Sequence, residues 1–298
     1  MSSNPLKRSA KSARKRIALR WSIAKPGDPR REVLIREMFL KRFLAFQKPL
    51  GIPRREILDV RGGLTAQALP DPKFDNNWLS FNLVGQLGNM LISALRVTRQ
   101  IPNAPYPIRE WTDGPNGQHE PMSTESWVYS RAFVLEEFRR NDLHIYGVGL
   151  TTICLAAMGR TELEALVAPN SVLLPRLRSG IGFQVSPRLE GKTSLPCRVG
   201  PGDNPDLVPI ELRITKATLR KTWKTLRRIH QEKFSRWGVR VEHDELLCDA
   251  FIECGLDSAN LSPKVDEDIS QIEIPKRTVL NEREFFGRWE DPIYAIQD

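Results

Sequence analysis

The sequence predicts an α+β fold: a mostly antiparallel sheet with packed helices, preceded by a disordered basic N-terminal arm. Three observations carry this. Leu79, Phe81 and Leu83 alternate with Ser80 and Asn82, the two-residue period of a half-buried strand, and Met90 to Val97 can return as its partner across a Gly85 to Asn89 turn. Two stretches, one around Val33 to Phe46 and one around Leu219 to Trp237, instead space their apolar residues at three- and four-residue steps, as helices do. The first 27 residues hold eight Lys or Arg and no acid, whereas Asp28 to Asp298 holds 37 bases against 36 acids, so the net charge of +9 belongs to a tail. Boundaries follow: an arm at 1–27, an α+β core at 28–242, and an acidic, partly helical segment at 243–298.

The first helix opens at Asp28-Pro29, an N-cap followed by proline at the first helical position, with Glu32 where the helix dipole favours an acid. Val33, Leu34, Phe39, Leu40, Phe43, Leu44 and Phe46 give it a broad apolar face before Pro49 and Gly51 end it. Residues 52–77 read as an irregular connector, and the proline- and glycine-rich stretch from Ile101 to Met122 as an exposed loop, with Tyr106 and Trp111 as candidate contact residues. Ser126 to Phe138 suits a helix or a long strand. Leu143 to Met158 reads as buried strand material, and it is shorter than the about 20 apolar residues of a membrane span. Thr161 to Val167 is expected as a short helix, and Ile181 to Val185, Leu195 to Val199 and Val208 to Thr215 as strands. Asp244 to Cys254 should be a helix closed by Gly255, with Val265 to Ile274 extended.

Charge organises the C-terminal half. Between Arg213 and Arg240 stand ten Lys or Arg and one acid, Glu232. Leu219, Trp223, Leu226, Ile229 or His230, Phe234 and Trp237 form one stripe, leaving Lys216, Arg220, Lys224, Arg227 and Arg228 largely on other faces. With Lys7, Arg8, Lys11, Arg14, Lys15 and Arg16 of the arm, these are the candidate contacts to nucleic-acid phosphates or anionic lipid heads. From Glu242 to Asp298 the sign reverses, fifteen acids against five bases, which suits masking of the basic helix or self-assembly through opposite charges. The cluster KRSAKSARKR from Lys7 to Arg16 fits a nuclear import receptor. Its Ser- and Arg-rich, acid-free composition also fits a cleaved mitochondrial presequence.

Signatures of chemistry are few. His119, His144, His230 and His243 form no H-x-x-x-H pair, and the spacing of His243, Cys248 and Cys254 fits no familiar zinc pattern. Cys154, Cys197, Cys248 and Cys254 make no C-x-x-C pair and no disulfide framework, which favours a reducing compartment. Phosphate-loop, nucleophile-elbow and dinucleotide fingerprints are missing; Gly147-x-Gly149 and Gly180-x-Gly182 lack the third glycine, and Glu136-Glu137 and Asp266-Glu267-Asp268 read as solvated faces. No cofactor is expected.

The stretch PIELRITKATLRKTWKTLRRIHQEKFSRWGVRVEHD, from Pro209 to Asp244, is a strand, a basic helix with Trp and a Lys-Phe-Ser element, then a short Gly-Val-x-Val-Glu strand. It resembles the C-terminal part of rhabdovirus matrix proteins over about an eighth of the chain, and the basic arm is similar in composition to theirs. Ala104-Pro105-Tyr106-Pro107 departs from the family's Pro-Pro-x-Tyr order. The resemblance implies a non-enzymatic structural protein of virion and host nucleus or cytoplasm, peripheral to membrane. Its partners would be viral nucleoprotein or RNA, an anionic membrane surface and further copies of itself. Two alternatives stand beside it: a mitochondrial ribosome-associated protein, and an enzyme whose site is assembled from distant residues.

Overall fold

A computed structural model describes residues 17–24, 32–50, 80–100, 126–187, 195–196 and 206–256. In it the strands β1 (Ala18–Ala24), β2 (Ser80–Leu87), β3 (Met90–Arg99), β4 (Trp127–Val134), β5 (Glu162–Val167), β6 (Gln184–Val185), β8 (Asp206–Arg213) and β9 (Arg240–His243) form one mixed sheet. The order is β6-β8-β5-β4-β3-β2-β1-β9, and the short β7 (Leu195–Pro196) pairs with β8 off this path. Most neighbours are antiparallel, as expected; β1–β9 and β4–β5 are parallel.

The β2–β3 hairpin forms where the alternation placed it, with Leu87 opposite Met90 and Gly88 at φ +60°, a conformation glycine adopts without strain. Its strands are not half-buried. Phe81 and Leu83 face the main core, but Ser80, Asn82 and Val84 on the other face are buried too. Part of that second face lies under α1 (Glu32–Leu50), whose Ile35, Met38 and Phe39 pack on Ala24, Val84, Leu91, Ala94 and Phe133. Lys41 Nζ donates to the Leu91 carbonyl at 2.9 Å and ties helix to sheet.

Against the first face pack α2 (Leu143–Ala157) and α5 (Glu245–Glu253), and α4 (Lys216–Ile229) packs on α2. The short α3 (Leu173–Arg176) continues as a π turn, Leu177–Ile181, beside α4. Two expectations reverse here. Leu143 to Met158 is a helix, and Glu162–Val167 is the strand β5. The cause is common to both: α2 is buried on nearly every side, between the sheet and α4, so its apolar run shows no helical stripe. The run from Ile181 to Val185 holds the last residue of the π turn, Ile181, and a two-residue strand, Gln184–Val185.

The basic helix is present as read. Thr215 caps α4: the Thr218 N–H donates to Thr215 Oγ1 at 3.2 Å, and the Thr215 N–H donates back to Thr218 Oγ1 at 2.7 Å. Leu219, Trp223, Leu226, Ile229 and Phe234 of the expected stripe are all buried. α5 also follows its reading: Asp244 caps it through the Leu247 N–H at 3.1 Å, and Gly255 at φ +65° follows its end. The sheet extends into the stretch read as arm, for β1 is built from residues 18–24. Expectations on 52–77, 101–122 and 265–274 fall outside the described residues.

Candidate active site

β4 and β5 part company soon after they meet. As parallel neighbours joined through α2, they pair only at Trp127–Leu163 and Val128–Glu164. Beyond that point β4 stays with β3 and β5 stays with β8, with no further pair between them. A bulge accompanies the divergence. Ala94 faces Phe133 and Arg96 faces Ser130, so Arg131 and Ala132 stand opposite Leu95 alone, and Arg131 takes φ +50°. Such an extra residue bends its strand and increases its local twist, which carries the end of β4 away from β5.

The gap is a cleft of about 220 Å³ at the carboxyl end of the parallel pair, beside the start of α2. Open α/β arrangements characteristically bind ligands in that position. Tyr129, Ser130, Arg131 and Ala132 of β4 form one wall, and Leu166 and Val167 with Ala168 form the other. Leu173 of α3 and Leu207 of β8 add apolar surface, and His144 closes the cleft from the first turn of α2.

The polar residues of the lining are Tyr129, Ser130, Arg131, His144 and Ser171, of which Tyr129 and His144 are the two rings. Tyr129 is 5 % exposed; its ring meets the His144 imidazole edge-on at 5.9 Å between centroids, and Phe183 at the same distance. Tyr129 Oη and His144 Nε2 are both sealed from water without a hydrogen-bond partner among the described residues. Burial acts on both in the direction of neutrality. It pushes the phenol above its ordinary range, and it pushes the imidazole down to about 4. Around neutral pH this cleft carries a neutral phenol and a neutral imidazole.

The opposite face of the same strands is polar as well. Strand alternation puts Asn82, Arg96, Thr98, Ser130 and Glu164 on one side, all buried. Arg96 Nε donates to Ser130 Oγ at 3.2 Å. This band was not legible as a site, because its members come from four strands.

Of the sequence-derived candidates, Lys216, Lys224 and Arg228 are exposed on α4, while Arg220 and Arg227 are partly buried. None of the five lines the cleft. Lys7, Arg8, Lys11, Arg14, Lys15, Arg16, Tyr106 and Trp111 lie outside the described residues. In the sequence His144 stands out only as a candidate metal ligand, and Tyr129 does not stand out. Their one signal was a polar ring within an apolar run, WVYSRAFV for Tyr129 and LHIYGVGL for His144. Among the described residues no group of His, Cys, Asp and Glu is placed to hold a metal, and no helix is long and apolar enough to cross a membrane.

No protein-family profile and no characterised sequence matches the chain. Among solved structures, a CoA-dependent acyl-homoserine lactone synthase, BjaI, with SAM and isopentyl-CoA, aligns over 79 % of this chain and 99 % of its own, at 16 % identity and a TM-score of 0.47. The acyl-homoserine lactone synthase LasI aligns over 70 % and 96 %, at 13 % identity and a TM-score of 0.48. A putative N-acetyltransferase from Lactobacillus plantarum aligns over 66 % and 99 %, at 14 % identity and a TM-score of 0.38.

These findings correct the matrix-protein reading, and with it the expectations of a non-enzymatic virion component and of viral nucleoprotein or RNA, membrane and self-assembly as partners; the neighbours are enzymes. The fold supplies the physical reason. The stretch from Pro209 to Asp244 is not a local strand-helix-strand unit, because β8 lies next to one edge of the sheet and β9 is the opposite edge. The helix between them packs on α2 with its apolar stripe buried in the core, so the likeness reduces to generic periodicity.

Proposed function

We propose that this chain is an acyltransferase that takes an acyl group from a thioester on a pantetheine arm and passes it to an amine. The observation that carries this is the splay of β4 from β5. Two strand edges without ladder partners face each other across an apolar cleft, and an extended arm bearing amides is the ligand chemistry that pairs with such edges. The apolar walls suit the arm's methylenes and the acyl chain, and the cleft opens at the helix start where ligands of parallel sheets gather.

In the reaction the amine nitrogen attacks the thioester carbonyl. The C–N bond forms, the C–S bond breaks, and the proton lost by the amine ends on the departing thiolate, giving an amide and a free thiol. The neutral Tyr129 phenol suits hydrogen bonding to substrate oxygen better than proton release, since its raised pKa makes it a poor acid.

Thiol release tests this. Acyl-CoA thioesters of graded length should be mixed with amine acceptors, S-adenosylmethionine among them because one similar structure holds it together with an acyl-CoA. Free thiol and amide product should appear in equal amounts, and Ala132→Phe, which fills the cleft, should cut turnover at least tenfold, about 1.4 kcal/mol. Absence of any amide product across the panel, with no thermal shift by CoA at millimolar concentration, would sink the reading.

A further inference from the structure

Among the described residues two side-chain-bearing positions take a left-handed backbone. One, Arg131, is a wall of the cleft; the other, Asp142 at φ +57°, stands two positions before His144, a second lining residue. Asp142 is the N-cap of α2, where an aspartate ordinarily accepts from a backbone N–H of the first turn. It makes no such bond. Its carboxylate accepts from Arg176 Nη1 of α3 instead. A residue that holds a strained backbone and gives up its cap points to another duty.

The pair joins two sides of the cleft. Arg176 follows Leu173 by three residues, one turn along the same side of α3, and Leu173 lines the cleft opposite β4. α3 has four residues, far below the length at which a helix holds itself. At its start, the Leu173 N–H donates to Ser171 Oγ at 3.1 Å and shapes the turn leading in. At its end, Thr225 Oγ1 donates to the Gly180 carbonyl at 2.7 Å and Lys221 Nζ to the Arg178 carbonyl at 3.0 Å, which fix the π turn on α4. The Asp142–Arg176 pair ties α3 itself to the start of α2.

We propose that Asp142 and Arg176 are positioning residues that hold the α3 wall in place and so set the size of acyl group the cleft accepts. This rests on the acyl-transfer reading and assigns residues to its specificity. More than half of the Arg176 side chain is exposed, and such pairs contribute little to global stability. The effect of this one falls on a single short segment. With the tie released, Leu173 moves outward and the cleft widens while Leu166, Val167 and Leu207 keep it apolar, so long acyl chains gain on short ones.

The test measures kcat/KM for decanoyl-CoA and butanoyl-CoA in the full chain, as wild type, Arg176→Gln, Asp142→Asn and Arg176→Lys. Asparagine tolerates the left-handed backbone, so Asp142→Asn removes the charge and keeps the turn. The decanoyl-to-butanoyl ratio should rise at least threefold in Arg176→Gln and in Asp142→Asn, modest beside what a hydrophobic pocket can discriminate. In Arg176→Lys, which keeps the charge, it should stay near the wild-type value. The wild-type ratio should also rise between about 0.05 and about 0.5 M salt, which screens an exposed pair, whereas the two neutralised variants should not respond. Both thioesters carry the same CoA, so salt effects on its phosphates cancel, and a general loss of activity does not move a ratio. Where a substitution fails to fold, the wild-type salt response decides. A rise below threefold in either neutralised variant, an Arg176→Lys ratio shifted as far as that of Arg176→Gln, or a wild-type ratio indifferent to salt overturns the inference and leaves acyl transfer standing. No turnover of any thioester takes both down.

Discussion

Arg131 occupies a left-handed backbone conformation, φ +50°, that costs a side-chain-bearing residue about 1 kcal/mol or more. It persists because the pairing on either side fixes it: Ser130 is held opposite Arg96 and Phe133 opposite Ala94, which leaves one residue too many in between. The strained residue is itself a wall of the cleft, so the same distortion separates β4 from β5 and shapes the site. The strain is measurable by substituting Asn and Val in turn. Both remove whatever the arginine side chain contributes, so their difference reports the backbone. Asn tolerates the left-handed region and a β-branched residue does not, so Arg131→Val should be less stable than Arg131→Asn by about 1 kcal/mol or more in urea denaturation. Strand propensity alone orders them the other way, and finding Val the more stable would mean that the bulge is not imposed by the sheet.

At the scale of elements, α2 makes the fold and the site together, and it is also where the sequence misled. Gly147 and Gly149 look like breakers in an apolar run, yet they are the places where neighbours come closest. A Cβ on Gly147 would stand 3.0 Å from Leu95 Cδ2, and one on Gly149 would stand 2.7 Å from Leu226 Cδ2. Gly147 therefore lets α2 settle on the sheet, and Gly149 lets α4 settle on α2. Gly149→Ala should destabilise the protein despite the about 1 kcal/mol that alanine gains in a helix, because Leu226 is fully buried and overpacking costs typically 1–3 kcal/mol. Trimming the obstruction in Gly149→Ala with Leu226→Ala should recover part of the overpacking cost, a coupling that a double-mutant cycle reads directly. Where one face of an element meets solvent, its period is legible, and α1, α4 and α5 follow their patterns; the β2–β3 hairpin is buried on both faces and is legible because Ser80 and Asn82 stand on the face opposite Phe81 and Leu83. Where an element is enclosed, period disappears and length and glycine content point the wrong way, which is why α2 reads as strand and β5 as helix.

For the whole molecule, the cleft shows why function was hidden. Its walls come from positions 129 to 132, 144, 166 to 173 and 207, and no spacing in one dimension connects them. Charge, by contrast, is visible in one dimension, and it drew the reading toward α4, whose sequence-derived cations do not line the cleft. A second consequence appears only when the elements are assembled. His144 and His243 sit at opposite ends of the described C-terminal half, yet both are half-buried, and burial pushes each imidazole down to about 4; His230 nearby adds to the effect on His243. His243 is packed by Tyr146 and Phe251, with Tyr146 Oη and His243 Nε2 at 3.3 Å. A histidine whose pKa falls on folding is neutral in both states above its ordinary value of 6.5, and there it contributes nothing to pH dependence. Between that value and about 4 the unfolded chain takes up a proton that the fold refuses, so stability falls as pH falls, by up to about 1.4 kcal/mol per pH unit for each such group. Urea denaturation at pH 7, 6 and 5 should therefore give a steepening loss, and His243→Gln should remove close to one proton from its slope below pH 6. Equal slopes for the two proteins would mean that His243 accepts its proton within the folded state, and that the packing of Tyr146 and Phe251 does not exclude water from it.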